Sequence, residues 1–238
     1  MFCGKYKFAG IPVEIVSQYS PVHEMCADYK TEEEPEFTIS ITKQMIDFER
    51  GGSNFDDSYL ETLAVYRAFC EYAIKYKIVL LHASAVAVDV QAYLFLANSG
   101  TGKSTHTRYW CKLFGDRAVM INDDKPLLRF EEDDVAMVYG SPWMGKHSVG
   151  NNVSFPLKAI CFLERGTRNS VERLSFSEAF AKLCLHTYYR SEEQFLLTLF
   201  SLFDKMKRVN FFTVKCRPEI EAAKTAYERM NIPANEAE

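Results

Sequence analysis

The chain has 238 residues, 47% of them hydrophobic, and a formal net charge of −4. This length suits one large domain, or one domain with a small appendage, and the apolar fraction is sufficient for a sizeable core. The slight acidity excludes a bulk electrostatic attraction to nucleic acid or to an anionic membrane.

The cysteines and the apolar stretches bear on where the protein works. Seven cysteines are scattered along the chain, and no two form a C-x-x-C pair, which is typical of thiols in a reducing compartment. The longest apolar stretch, 78–88, is interrupted by His82 and is too short to span a bilayer. The N-terminus lacks the apolar core of a signal peptide. We therefore expect a cytoplasmic protein with neither nucleic acid nor membrane as a partner.

Residues 1–54 are predicted to form a small α+β unit. Segments 11–16 and 36–41 alternate in polarity as strands do, and an acidic loop lies between them. A Gly-Gly pair then marks a break, and a helix to about residue 76 follows it. Residues 55–238 are predicted to form a second, larger domain.

The second domain alternates apolar strands with amphipathic helices. This pattern predicts an α/β fold with a mixed β-sheet core flanked by helices. Strands are predicted at 78–81, 83–89, 91–97, 118–121, 127–130, 135–139, 159–163 and 211–214, with the fifth and sixth forming a hairpin. Helices are predicted at 106–114, 177–188, 192–206 and 218–230, with Ser191 as the cap of the third and Pro218 in the first turn of the fourth.

The segment Ala97–Thr105 carries the strongest chemical signal. It reads A-x-x-x-x-G-K-S, the P-loop pattern with alanine at its first position, between a predicted strand and a predicted helix. Backbone N–H groups at such a helix N-terminus attract anions. Lys103 can reach the β- and γ-phosphates of a nucleotide, and the Ser104 hydroxyl can ligate Mg²⁺. The residues predicted to bind the nucleotide are Asn98, Ser99, Gly100, Thr101, Gly102, Lys103, Ser104 and Thr105.

A second signal lies twenty residues beyond Lys103, where a predicted strand ends in Asp123 and Asp124. Phosphoryl transfer needs a carboxylate on the far side of Mg²⁺ from the P-loop hydroxyl. Of two adjacent carboxylates, one can hold the ion while the other accepts the proton of an attacking hydroxyl. A solvated turn or a helix cap is the alternative for such a pair.

Three segments together resemble the catalytic core of HPr kinase/phosphorylase: Leu81–Val88, Ser99–Ser104 and Ile121–Asp124. The resemblance covers residues 78–168. It implies a P-loop fold shared with ATP-dependent phosphoenolpyruvate carboxykinase, and it implies ATP and Mg²⁺ as cofactors. Members of that family phosphorylate a serine of a small carrier protein.

The resemblance also implies roles for single residues. Asp123 would be the general base, with His82 near it or near the γ-phosphate, and Lys103 would act on the transferred phosphate. Ser104 and Asp124 would hold Mg²⁺, although the two aspartates could be exchanged.

Departures from the family pattern concern the acceptor side. Thr105 stands where the family usually has an acidic residue, which leaves the reverse, phosphorylase, reaction open. Residues 140–152 contain three glycines and a tryptophan in place of the family's glycine-rich signature. In that segment Lys146 and His147 are the predicted substrate contacts, and an exposed hairpin is the alternative. Arg165 follows a buried strand, where it could neutralise transferring phosphate or lie in a solvated turn.

These observations predict an ATP-dependent phosphotransferase that moves the γ-phosphoryl group to a hydroxyl, with a serine or threonine of a peptide or protein as the acceptor. Two alternatives use the same loop. One is a kinase of a small-molecule alcohol, and the other is a nucleotide-sensing or nucleotide-hydrolysing module that acts through a protein partner. The family analogy also allows a homo-oligomer. The acceptor's identity, and pyrophosphate as a substitute for ATP, stay open.

Overall fold

The computed structural model describes residues 1–231. Its first part is a three-stranded sheet with two helices, in the chain order β1 (Phe2–Phe8), β2 (Ile11–Ser17), α1 (Pro21–Met25), β3 (Phe37–Ser40) and α2 (Lys43–Arg50). β1 pairs antiparallel with β2, and β3 pairs parallel with β2. The two strands predicted here from alternation are confirmed, and β1, α1 and α2 are additions to that prediction.

The helix α3 (Asp57–Ala73) follows and packs on this sheet. Its N-cap is Asp56, whose carboxylate accepts a hydrogen bond from a first-turn N–H at 3.1 Å. Phe69 of α3 lies edge-on to Phe8 of β1, with 5.3 Å between the ring centroids. The helix therefore shares a hydrophobic core with the N-terminal sheet, and the domain boundary expected at residues 54–55 stays a prediction.

The second part is built on a large mixed sheet between residues 78 and 216. Its strands are β4 (Ile78–Leu80), β5 (Ala83–Val88), β6 (Gln91–Leu96), β7 (Ala118–Asn122), β8 (Leu127–Phe130), β9 (Ala136–Tyr139), β10 (Ser154–Arg165), β11 (Ser170–Leu174) and β12 (Asn210–Cys216). They lie in the order β4-β8-β9-β10-β6-β5-β7, and β12 pairs with both β10 and β11. β10 joins the two halves, because its first residues pair with β9 and its later residues pair with β6 and β12.

Helices cover both faces of this sheet: α4 (Lys103–Phe114), α5 (Phe176–Leu185), α6 (Glu193–Lys205) and α7 (Ile220–Met230). Successive residues of a strand point to opposite faces. Leu94 of β6 accordingly joins the core under α5 and α6, while Phe95 joins the core under α4 and α7. The expected mixed α/β architecture is confirmed. Within residues 1–231, none of the helices combines the length and the apolar character needed to cross a membrane.

Several predicted boundaries in the last third are wrong. Ser191 does not cap α6, since the N-cap is Glu192. Pro218 lies before α7 and outside its first turn, because the N-cap of that helix is Glu219. α5 ends at Leu185 and does not reach residue 188, because Thr187 forms a β-bridge with the residue before His82. β11 is an addition, and β10 begins five residues earlier than the apolar run at 159–163 indicates.

Candidate active site

The predicted site residues gather at one edge of the large sheet. β6 runs parallel to β10 and β12, and β5 runs antiparallel to both β6 and β7. β6, β7, β10 and β12 therefore end at the same edge, where β5 begins. In strand order, β5 and β7 lie on one flank of β6, and β10 and β12 lie on the other. The loop after β6 is thus accessible from two flanks.

This loop, residues 97–102 and called the glycine loop below, leads directly into α4. Gly100 and Gly102 have φ angles of +77° and +117°, in the left-handed region that favours glycine. A Cβ at either position would meet nothing within 4 Å. Backbone conformation, and not lack of space, therefore explains the two glycines. Gly102 is the N-cap of α4, and the first-turn N–H groups of a helix are available to an anion.

Lys103 is the first residue of α4, and its side chain folds back over the glycine loop. Its Nζ donates a hydrogen bond to the Ala97 carbonyl at 2.7 Å, and the residue is only 8% exposed. Burial lowers the pKa of this ammonium, and the Asp124 carboxylate opposes that effect. A phosphate oxygen beside the loop could replace the Ala97 carbonyl as the acceptor, because the lysine stem is flexible.

Ser104 brings the glycine loop to the end of β7. Its Oγ lies 3.5 Å from the backbone carbonyl oxygen of Asp123. The Asp123 side chain is 3% exposed, and its Oδ1 accepts a hydrogen bond from the Gly145 N–H at 2.7 Å. The hydroxyl and the carboxylate pair that were predicted from separate motifs are therefore neighbours.

The oxygen atoms at this point suit Mg²⁺. That ion prefers oxygen ligands and is usually held by one or two carboxylates together with substrate phosphates. Ser104 and the Asp123–Asp124 pair supply a hydroxyl and carboxylates beside the phosphate-binding helix start. Across residues 1–231, no group of three or more His, Cys, Asp or Glu side chains is placed to hold a metal ion.

Asp124 is kept ionised by two neighbours. Its Oδ1 lies 3.1 Å from His82 Nε2, and its Oδ2 is paired with Lys125 Nζ. Burial alone would raise the pKa of Asp124, but the hydrogen bonds from His82 and Lys125 outweigh it and lower that pKa to about 2. The carboxylate is therefore an anion at neutral pH. His82, expected near the base or the γ-phosphate, makes its contact with Asp124.

Asn122, the last residue of β7, holds this turn together and was not among the predicted site residues. It is fully buried, and its Oδ1 accepts hydrogen bonds from the backbone N–H groups of Asp124 and Lys125 at 2.8 and 2.6 Å. Its Nδ2 donates to the Ser141 carbonyl at 3.0 Å. The sequence signal that could have identified Asn122 is its position, as a polar residue between an apolar strand and the Asp-Asp pair.

Residues 140–150 form the loop that reaches Asp123. Trp143 fixes this loop by stacking on Phe69, with 5.4 Å between the ring centroids. A Cβ on Gly145 would lie 3.3 Å from Asp123 Oδ2, so a larger residue at this position would crowd that oxygen. The predicted substrate residues Lys146 and His147 come next, and both are exposed to solvent. They directly follow Gly145, whose N–H contacts Asp123, and their role in binding substrate stays a prediction.

His186 is a second histidine at this edge. Its carbonyl accepts a hydrogen bond from the His82 N–H at 2.7 Å, and the two rings lie 6.4 Å apart. Burial, together with the charges of His82 and Lys103, lowers the pKa of His186 to about 4. His186 could not be predicted as a neighbour of His82, because α5 was predicted to continue through residue 188. A helix that continued to that point would not bring His186 next to the start of β5.

Arg165, at the end of β10, lies on the flank of the glycine loop away from Asp123. Its Nη2 donates a hydrogen bond to the Gly100 carbonyl at 2.7 Å. It also lines a cleft of about 450 Å³ between the glycine loop and the β12–α7 connection. The predicted contact with transferring phosphate stays a prediction, and the observed contact is with the loop itself.

No protein-family model matches this sequence, and no curated protein matches it. Among solved structures, the fold is similar to that of the Hpr(Ser) kinase/phosphatase from Coxiella burnetii, with a TM-score of 0.35 and 12% sequence identity. The match covers 63% of this chain and 94% of that chain. It is a distant likeness of fold, and the site described above rests on the geometry of this chain.

Proposed function

We propose that this chain is an ATP-dependent phosphotransferase that moves the γ-phosphoryl group to a hydroxyl, with a serine or threonine of a peptide or protein as the acceptor. The proposal rests on the proximity of the glycine loop and the Asp123–Asp124 pair, because Ser104 Oγ lies 3.5 Å from the backbone carbonyl oxygen of Asp123. A phosphate-binding helix start and a nearby carboxylate are the parts that phosphoryl transfer requires of a protein.

The glycine loop and Lys103 would bind the β- and γ-phosphates. Ser104 and Asp124 would hold Mg²⁺, which neutralises phosphate charge when bound. Asp124 suits that role, because its pKa of about 2 keeps it anionic across the neutral range. His82 would orient it through the contact at Oδ1.

Asp123 would act as the general base. The Gly145 N–H occupies Oδ1 at 2.7 Å, which leaves Oδ2 for the acceptor hydroxyl. The hydroxyl proton passes to Asp123 Oδ2 while the hydroxyl oxygen forms a bond to the γ-phosphorus. The bond between that phosphorus and the β–γ bridging oxygen breaks, and ADP leaves. Lys103 stabilises the negative charge that develops on the phosphate oxygens.

The surface beside Asp123 favours an acceptor carried by a polypeptide. Residues 146–149 are all exposed, whereas sites for small molecules are usually enclosed and cover most of the ligand. Lys146 and His147 would contact the chain that carries the hydroxyl, because they follow Gly145 directly.

The test is to incubate the protein with γ-labelled ATP, Mg²⁺ and a fractionated cell lysate, and to identify the labelled product. We expect label in the phosphoserine or phosphothreonine of a polypeptide. Lys103→Ala should abolish labelling, while Lys112→Ala, an exposed lysine of the same helix, should not. Label that appears only as inorganic phosphate, at the same rate without acceptor, would contradict the proposal and favour a nucleotide-hydrolysing module.

A further inference from the structure

A buried histidine beside the glycine loop has no part in the proposed transfer. His106 lies one turn into α4 and is 4% exposed, and together with Cys216 it lines the cleft on the Arg165 flank. A ring nitrogen that accepts a hydrogen bond carries no proton, and the ring then keeps its one proton on the other nitrogen.

Trp110 determines which nitrogen carries that proton. The indole Nε1–H can only donate, and it lies 3.1 Å from His106 Nε2. Nε2 of the neutral ring is therefore the acceptor, and the proton is on Nδ1. Nδ1 faces the sulfur of Cys216 at 4.0 Å, which is a long contact to a weak acceptor. The buried Nδ1–H of His106 therefore has only a weak acceptor at the cleft wall, and it is available to donate a stronger hydrogen bond to a ligand.

The size and position of the cleft suit a nucleoside. Its volume of about 450 Å³ lies within the range of roughly 300–1,000 Å³ for small-molecule sites. It is bordered by the glycine loop, by Thr105 and Tyr109 of α4, and by Arg217 at the start of the β12–α7 connection. A nucleotide with its phosphates on the glycine loop can extend to either flank. The Asp123 flank must admit the acceptor hydroxyl, so the nucleoside would lie in the cleft on the opposite, Arg165 flank.

We propose that this cleft is the nucleoside subsite of the donor nucleotide, with His106 Nδ1–H as a hydrogen-bond donor to the nucleoside and Arg217 as a cationic wall. The inference rests on the proposed function, because it assumes that phosphates occupy the glycine loop. Arg165 connects the two parts of the site, since it lines the cleft and also donates to the Gly100 carbonyl at 2.7 Å.

The test compares the binding of Mg·ATP and of inorganic tripolyphosphate with Mg²⁺ by isothermal titration calorimetry, because tripolyphosphate has the phosphate chain without the nucleoside. We expect the wild-type protein to bind ATP at least about tenfold more tightly than tripolyphosphate. His106→Phe keeps the ring and removes the donor. It should weaken ATP binding about tenfold and change tripolyphosphate binding less than about twofold. Arg217→Ala should act in the same direction.

Trp110→Phe is the matched control for folding. It breaks the same buried hydrogen bond as His106→Phe but leaves the imidazole in the cleft, with both neutral tautomers then accessible. It should therefore lower the melting temperature, with a smaller selective loss of ATP binding than His106→Phe. Unchanged ATP affinity in both cleft variants, or an equal loss of tripolyphosphate affinity, would overturn the subsite. Wild-type protein that binds both compounds equally would overturn the subsite alone. Wild-type protein that binds neither would overturn the proposed function as well.

Discussion

His82 Nε2 lies 3.1 Å from Asp124 Oδ1, although the two residues are distant in the chain. His82 precedes β5 and Asp124 follows β7, and the antiparallel pairing of these strands brings them together. Because of this contact, the carboxylates of Asp123 and Asp124 have different hydrogen-bond partners. Asp124 is paired with donors on both oxygens, whereas Asp123 has one oxygen held by the Gly145 N–H. This inequality favours Asp124 as the metal-side carboxylate and Asp123 as the base.

Removing His82 should weaken the use of Mg²⁺. His82→Ala takes away one of the two donors that orient the Asp124 carboxylate, and such outer partners commonly affect metal affinity by tenfold or more. We expect the Mg²⁺ concentration for half-maximal phosphate transfer to rise by roughly tenfold. His82→Asn retains a donor and should recover part of the loss. An identical Mg²⁺ titration for His82→Ala and wild type would exclude this role.

Asp124 should make the stability of the folded protein sensitive to acid. Its pKa is lowered from 3.8 to about 2 on folding, so its contribution is present above the unfolded pKa and is lost as pH falls through the folded value. The shift corresponds to about 2 kcal/mol. Urea unfolding from about pH 6 down to about pH 2 should therefore show a larger loss for wild type than for Asp124→Asn. Parallel curves for the two proteins would argue against the lowered pKa.

Asn122 should be required for the Asp123–Asp124 turn to form. Asn122→Ala leaves two partly buried N–H groups, those of Asp124 and Lys125, without their acceptor. The free energy of unfolding should fall by about 2–4 kcal/mol, with a parallel loss of transfer activity. Asn122→Asp keeps the acceptor and loses the donation to Ser141, so denaturation should show a smaller loss. Equal stability of wild type and Asn122→Ala would contradict the assignment.

Gly145 should control access to the second oxygen of Asp123. A Cβ there would lie 3.3 Å from Oδ2, the atom proposed to take the acceptor proton. Gly145→Ala should lower kcat about tenfold and leave the KM for ATP unchanged, because misplacement of reacting groups affects the chemical step. Gly145→Val should be more severe, and Ser148→Ala in the same loop is the control. A kcat for Gly145→Val equal to wild type would show that Oδ2 is not used.

Short-range sequence patterns predicted much of this site. A strand, a glycine loop and a helix are continuous in the chain, so Lys103 and Ser104 could be placed from local spacing alone. Asp123 could be added because strands that run in the same direction end at the same edge of a sheet. Alternation of Phe2, Tyr6 and Phe8 is also a strand signal, although it was masked by the intervening glycine and lysines.

Contacts that depend on strand register or on chain reversal could not be predicted in this way. His186 reaches the site because residue 187 pairs with residue 81, whereas the helical pattern of α5 predicts three more helical residues. The partner of His82 depends on the pairing of β5 with β7. The sequence marks His106 only as a residue of the helix that follows the glycine loop. Its contact with Trp110 and its place in the cleft are visible only in the structure.

The proposed transfer depends on Asp123, which would accept the proton of the acceptor hydroxyl. The most direct measurement compares Asp123→Asn with wild type, and with Asp116→Asn as an exposed control, for transfer of γ-label to the acceptor and for Mg·ATP binding in the same preparation. Asp123→Asn should lower transfer at least about a hundredfold while ATP affinity changes less than about threefold. Transfer by Asp123→Asn at the wild-type rate would contradict this role.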